Sequence, residues 1–206
     1  KGHAAGKFWD WVASWVVMAR SPRDLGFECD GFDLPELIEH VHEIPSGIVQ
    51  EGRIFNGAAE GLMEQQRARR ATVEKRVAAA AQLVNSSVKP WIVWCELNDE
   101  SEALARSIPD AVEVRGSDSM EHKEDALSGF SDGRYRVIVT KPSIAGFGMN
   151  WQHCADMVFV GLSNSYEQYY QAVRRCHRFG QTSDVNVHIV ATELDAGVLD
   201  NIKRKE

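Results

Sequence analysis

From Pro90 onward the chain alternates short, continuous apolar runs with longer amphipathic stretches. The runs are WIVWC at 91–95, AVEV at 111–114, RVIVT at 136–140, DMVFVGL at 156–162 and VNVHIV at 185–190. They are rich in β-branched residues, and most lack an in/out polar alternation. That pattern predicts strands covered on both faces. The stretches at 99–107, 119–130 and 165–178 predict helices between them. Ser119 is placed to cap the second, and Asp195 opens a closing helix. Strands alternating with helices imply an α/β fold with a parallel sheet between helical layers.

Upstream of Pro90 the pattern is different. Phe8, Trp11, Trp15 and Met18 recur at helical spacing and predict an amphipathic helix. So many large apolar groups on a short element call for a partner surface. Residues 21–37 are rich in Gly, Pro and Asp and read as a loop. His40–Ile44 alternates and predicts a strand, with His40 and His42 on one face. Two imidazoles at i, i+2 could hold a metal, but no third ligand lies nearby in sequence. They therefore read as a solvated strand face. Residues 45–71 read as a connector with partial helix, ending in Arg67, Arg69 and Arg70. Thr72 is a candidate N-cap, and Val73, Val77, Ala80, Ala81 and Val84 form a helical stripe closed by Asn85-Ser86-Ser87. Composition thus divides the chain into 1–44, 45–87 and 88–206.

Composition narrows the function classes. The chain has 206 residues, 44% of them hydrophobic, with a net charge of −7. The length allows one large domain, or a domain plus a fragment. A negative chain is not a globally basic nucleic-acid binder, although a local basic groove stays open. Cys29, Cys95, Cys154 and Cys176 form no CxxC pair and read as reduced thiols, mostly buried, in a cytoplasmic protein. The adjacent pairs His153-Cys154 and Cys176-His177 match no zinc spacing, so no metal site is expected. No apolar run is long enough to span a membrane, and no secretory signal is evident.

Two segments carry candidate chemistry. KPSIAGFGMNW, from Lys141 to Trp151, follows the third run. Gly146 and Gly148 permit a tight turn and close backbone approach to a ligand, while Lys141 and Ser143 supply a cation and a hydroxyl. A GxG loop alone is equally a structural turn. The second segment is QAVRRCHRFGQ, from Gln171 to Gln181. On the predicted helix, Gln171, Arg175 and Arg178 share a face at i, i+4 and i+7. Arginine suits phosphate because its planar fork bonds oxygens bidentately and stays charged. Ligands of open parallel sheets bind at the C-terminal strand edge, where both segments are expected.

Together these segments resemble the fifth and sixth motifs of superfamily-two helicases and translocases. Gln171, Ala172, Arg175, Arg178, Gly180 and Gln181 match every fixed position of the Snf-type sixth motif, and His177 fits as well. Gly146, Phe147, Gly148, Met149 and Asn150 match the fifth, and WIVWCE stands at the fourth. The resemblance spans roughly 88–190 and is similar to DEAD-like helicases of phage and bacterial genomes. It implies a RecA-like C-terminal helicase domain. Such domains supply arginine fingers to ATP and Mg²⁺ held by a first RecA-like domain. On that resemblance Arg175 and Arg178 are catalytic. Gln171, Gly146, Gly148 and Asn150 serve the nucleotide cleft, and Lys141 and Ser143 contact DNA or RNA. Lys141–Ala145 departs from the usual Thr-Arg-Ala-Gly at that point. Both arginines should face an open cleft beside the glycine loop.

The first domain's parts are missing. Gly2 to Phe8 is one residue short of a Walker A loop and lacks its hydroxyl, and no Asp-Glu pair ends a strand. With Lys1 in place of Met, the chain reads as a piece of a longer protein. Residues 1–44 are then the end of the first helicase domain, 45–87 a connector and lead-in helix, and 88–206 the C-terminal domain. Alone it should bind no nucleotide tightly and hydrolyse none. The competing reading is a stand-alone binding module without ATPase activity. A Rossmann-type enzyme is disfavoured by the absence of GxGxxG after the first strand of the sheet. The expected location is the cytoplasm of a bacterial cell or phage-infected host.

Overall fold

The computed structural model describes residues 5–19, 21–28, 32–47, 67, 69–146 and 148–204. They form a six-stranded, all-parallel sheet: β1 (Leu37–Ile44), β2 (Trp91–Trp94), β3 (Ala111–Glu113), β4 (Val137–Thr140), β5 (Asp156–Phe159) and β6 (Val185–Thr192), in the order β1-β6-β5-β2-β4-β3. The helices are α1 (Ala5–Ala13), α2 (Val73–Asn85), α3 (Asn98–Ser107), α4 (Met120–Ser131), the single turn α5 (Pro142–Ala145), α6 (Tyr166–Val173) and α7 (Ala196–Lys203). The expected α/β class, a RecA-like parallel sheet flanked by helices, is what the chain adopts.

Strand alternation builds two cores. Ile92, Trp94, Ile138, Met157 and Phe159 face α4, α6 and α7. Val93, Val137, Val139 and Val158 face the stripe of α2 and Leu104 of α3. Every residue of β2, β4 and β5 is buried, which explains why these strands show no polar alternation. Ser119 caps α4 as expected, accepting from the His122 amide at 3.2 Å. Thr72 does not cap α2. Its hydroxyl bonds the Arg69 carbonyl at 3.3 Å and accepts from Arg76 Nε at 3.2 Å.

The sheet reaches upstream of residue 88. β1 begins three residues before the predicted strand and pairs in parallel with β6, from Leu37↔Val185 to Ile44↔Thr192. α2 packs on the same sheet. The change in composition near 88 therefore falls inside the folded unit. α1 ends at Ala13, so Trp15 and Met18 lie beyond it, and Phe8, Trp9, Trp11 and Trp15 are exposed. Among the described residues, no helix is long and apolar enough to cross a membrane.

β1 meets β6 through an imidazole stack. His40 pairs in register with His188, their rings 4.6 Å apart, and the His42 ring lies 5.2 Å from His188. His42 Nε2 and His188 Nδ1 lie 2.9 Å apart in a hydrogen bond, one nitrogen donating and the other accepting. His40 Nε2 donates to Asn186 Oδ1, and the Asn186 amide donates to Asp156. The third histidine that the sequence lacked thus comes from a strand 146 residues away. Among the described residues, no group of three His, Cys, Asp or Glu could hold a metal ion.

Burial, then His40 and His42, pushes the His188 pKa down from 6.5 to about 4, and burial and His40 lower that of His42. The unfolded chain therefore binds more protons than the folded one between those values. Stability is held above pH 6.5 and lost as pH falls toward 4. Urea midpoints across pH 4.5–7.5 should show a steeper acid loss for wild type than for His188→Phe. Parallel profiles would show that the stack does not titrate this way.

Candidate functional site

The glycine loop and the arginine turn meet through backbone contacts. α6 starts at the C-terminal edge of β5, where Ser165 accepts from the Gln168 amide at 3.3 Å. It stops at Val173 rather than continuing to Arg178. The Arg175 carbonyl accepts from the Trp151 amide at 2.9 Å instead of continuing the helical ladder, and Gly180 adopts φ +93. Arg178 therefore lies in a turn, and the i, i+4, i+7 helical face ends at its second member.

The two arginines differ. Arg175 is 7% exposed and points into the domain. Its Nη1 donates to the Met149 carbonyl at 2.8 Å, its Nε to the Gln171 carbonyl at 3.0 Å, and its Nη2 to Gln171 Oε1 at 3.3 Å. Burial and the neighbouring Arg178 charge lower its pKa. Arg175 thus departs from the expected outward orientation: it ties the glycine loop to α6. Arg178 is half-buried, and among the described residues its guanidinium has no hydrogen bond or ion pair. The Arg175 shift records the electrostatic nearness of the two charges.

The turn around Arg178 is held from several sides. His177 Nε2 donates to the Pro35 carbonyl at 2.9 Å, and Phe179 stacks on Phe32 with centroids 5.0 Å apart. Gln181, buried, donates to the Cys154 and Cys176 carbonyls and accepts from the Thr182 and Ser183 amides. No periodicity in the sequence pointed to Phe32 or Pro35, because the loop that carries them meets the turn only in the fold. Cys95, Cys154 and Cys176 are free and buried. Burial raises the Cys95 and Cys176 pKa values, Cys95 to about 12, so neither is a thiolate. Cys29 lies outside the described residues.

Gly146 and Gly148 are glycine for different reasons. A Cβ on Gly146 would meet the Pro142 carbonyl oxygen at 2.1 Å, while Gly148 is exposed with φ +81. Asn150 is exposed. Lys141 donates to Asn98 Oδ1 at 2.7 Å, and Ser143 is exposed on α5. These two follow the C-terminal end of β4. The Arg178 turn instead leads into the N-terminal end of β6. The site residues therefore do not share the C-terminal edge at which the sequence placed both segments. α6 joins the C-terminal end of β5 to the N-terminal end of β6 and so carries its end back to the opposite edge.

Residues 75–180, just over half the chain, match the model of the helicase conserved C-terminal domain. The chain belongs to that helicase C-terminal family. It is 27% identical over 109 residues to a TATA-binding protein-associated factor mot1 of Aspergillus fumigatus, covering 49% of this chain and 6% of that protein. It is 28% identical over 97 residues to DEAD-box ATP-dependent RNA helicase 21 of Oryza sativa subsp. japonica, covering 45% and 13%. The RNA-helicase Prp28 from Chaetomium thermophilum bound to ADP shares the fold, with a TM-score of 0.57 and 17% identity over 84% of this chain and 36% of that one. The chain thus spans a small part of the length of its curated relatives. Those relatives are eukaryotic, whereas the sequence suggested a phage or bacterial origin.

Proposed function

We propose that this helicase C-terminal domain works as the second RecA-like half of an ATP-dependent motor on nucleic acid, with Arg178 as its arginine finger. The carrying observation is Arg178 itself: a guanidinium without a hydrogen bond or ion pair among the described residues, on a turn fixed by His177, Phe179 and Gln181. A charge held ready, with no internal partner to give up, can neutralise negative charge developing on a terminal phosphate without reorganisation. Arg175 and Gln171 act as positioning residues, holding Gly148–Asn150 beside that turn. ATP and Mg²⁺ would sit mainly on a first RecA-like domain. When bound, they supply the phosphoryl group and its counter-charge.

Lys141 and Ser143 would contact the sugar-phosphate track, giving sequence-independent and salt-sensitive binding. DNA is the proposed track, on the Snf-type spacing of Arg175, Arg178, Gly180 and Gln181. The test joins the chain to a first RecA-like domain and measures ATPase with single-stranded DNA, duplex DNA and RNA. Stimulation by DNA supports the reading. Stimulation by RNA alone reassigns the track. No ATPase with any of them favours the stand-alone binding module.

A further inference from the structure

A groove of about 320 Å³ opens between α6 and the segment leading into β1. Leu34 and Leu37 line one side, and Tyr166, Tyr170, Arg174 and His177 the other. We propose that this groove takes a nucleobase, stacked on Tyr170. The inference rests on the motor reading of the neighbouring arginine turn and adds a site whose tyrosines, Tyr166 and Tyr170, lie outside the helicase motifs.

Tyr166, Tyr170 and Arg174 recur every four residues and stand one above another on α6. The tyrosine rings lie 5.9 Å apart, and the Arg174 guanidinium sits 5.3 Å from the Tyr170 centroid. Arg174 is fixed there by Nε to the Tyr170 hydroxyl at 3.1 Å and Nη1 to the His177 carbonyl at 3.0 Å. Tyr170 is nevertheless 40% exposed, an unusual position for a ring held by a cation and a second ring. A flat π-face, a fixed guanidinium and an aliphatic wall are the elements that hold a base by stacking.

Charge and hydrogen bonding favour a base over an aliphatic occupant. His177 uses Nε2–H on Pro35, which leaves Nδ1 as the ring nitrogen open to an exocyclic amine. Arg178, one residue on, has no hydrogen bond or ion pair among the described residues, and its charge is available to a phosphate attached to that base. In a chain of net charge −7, Arg174 and Arg178, both half-buried, place local positive charge beside this groove.

The base could belong to the nucleic acid or to the nucleotide, and the test separates them. The chain is titrated with a fluorescein-labelled oligodeoxyadenylate and with an abasic oligomer of equal length. In parallel, ATP is compared with inorganic triphosphate. Tyr170→Ala should weaken binding of the base-bearing probe about 5- to 100-fold, the range of one base–aromatic stack. Its base-free counterpart should bind unchanged, and Tyr170→Phe should restore affinity. Loss confined to the oligomer makes the occupant a base of the nucleic acid, and loss confined to ATP makes it adenine. Equal affinities of wild type and Tyr170→Ala overturn the groove while leaving the motor reading intact. So does an equal loss with base-free probes, or no binding of any probe. The motor reading is judged separately, by ATPase of the joined protein.

Discussion

Arg178→Ala, in the chain joined to a first RecA-like domain, is expected to lower kcat by about 10³-fold or more, with nucleotide affinity little changed. The magnitude is what an arginine finger supplies, about 4 kcal/mol of transition-state stabilisation. The split between kcat and affinity follows from where the charge acts. A cation matched to charge that develops on the transferring phosphoryl group stabilises the transition state more than the ground state. Arg178→Lys should recover little, because a point charge cannot reproduce the fork. Arg175→Ala should behave differently. It frees the Met149 carbonyl and Gln171, so it should loosen the glycine loop and lower stability together with turnover. Near-normal turnover in Arg178→Ala would remove it from the catalytic role.

Glu100→Ala should destabilise the isolated chain by about 3–5 kcal/mol, a large fraction of the roughly 5–15 kcal/mol that holds a domain. Glu100 and Arg76 form an ion pair at 2.5 Å, with both side chains essentially sealed from solvent. Arg76 also donates to the carbonyls of Val160 and Arg69, and Glu100 Oε2 accepts from the Glu96 and Leu97 amides at 2.9 and 3.0 Å. Removing the carboxylate strands a buried guanidinium and two amides. The pair joins α2 to the start of α3 and to the segment after β5, so its loss should separate the lead-in helix from the sheet. Gly161 leaves it room: a Cβ there would lie 2.9 Å from Arg76 Nη1. Glu100→Gln keeps the acceptor and should cost less than Glu100→Ala. Denaturant unfolding measures both, and a loss below about 1 kcal/mol for the alanine variant would show that the pair contributes little.

The sequence by itself determined the strands after Pro90, the helices between them and the two motifs. Strands buried on both faces must be apolar throughout, so they stand out without any partner being known. The motif residues stand out because phosphate chemistry restricts residue type and spacing. Tertiary contacts decided the rest. The end of α6 was not legible, since Arg174 to His177 tolerate a helix and it is the Trp151 amide, 24 residues away, that takes the Arg175 carbonyl. That contact separates an inward Arg175 from an Arg178 that has no partner among the described residues, although the two look equivalent in the chain. β1 looked like a stray strand because its neighbour β6 lies at the far end of the sequence. The groove at Tyr170 was hidden for the same reason, its two walls being about 130 residues apart. Local periodicity records which face of an element is buried; only the folded chain records what covers it.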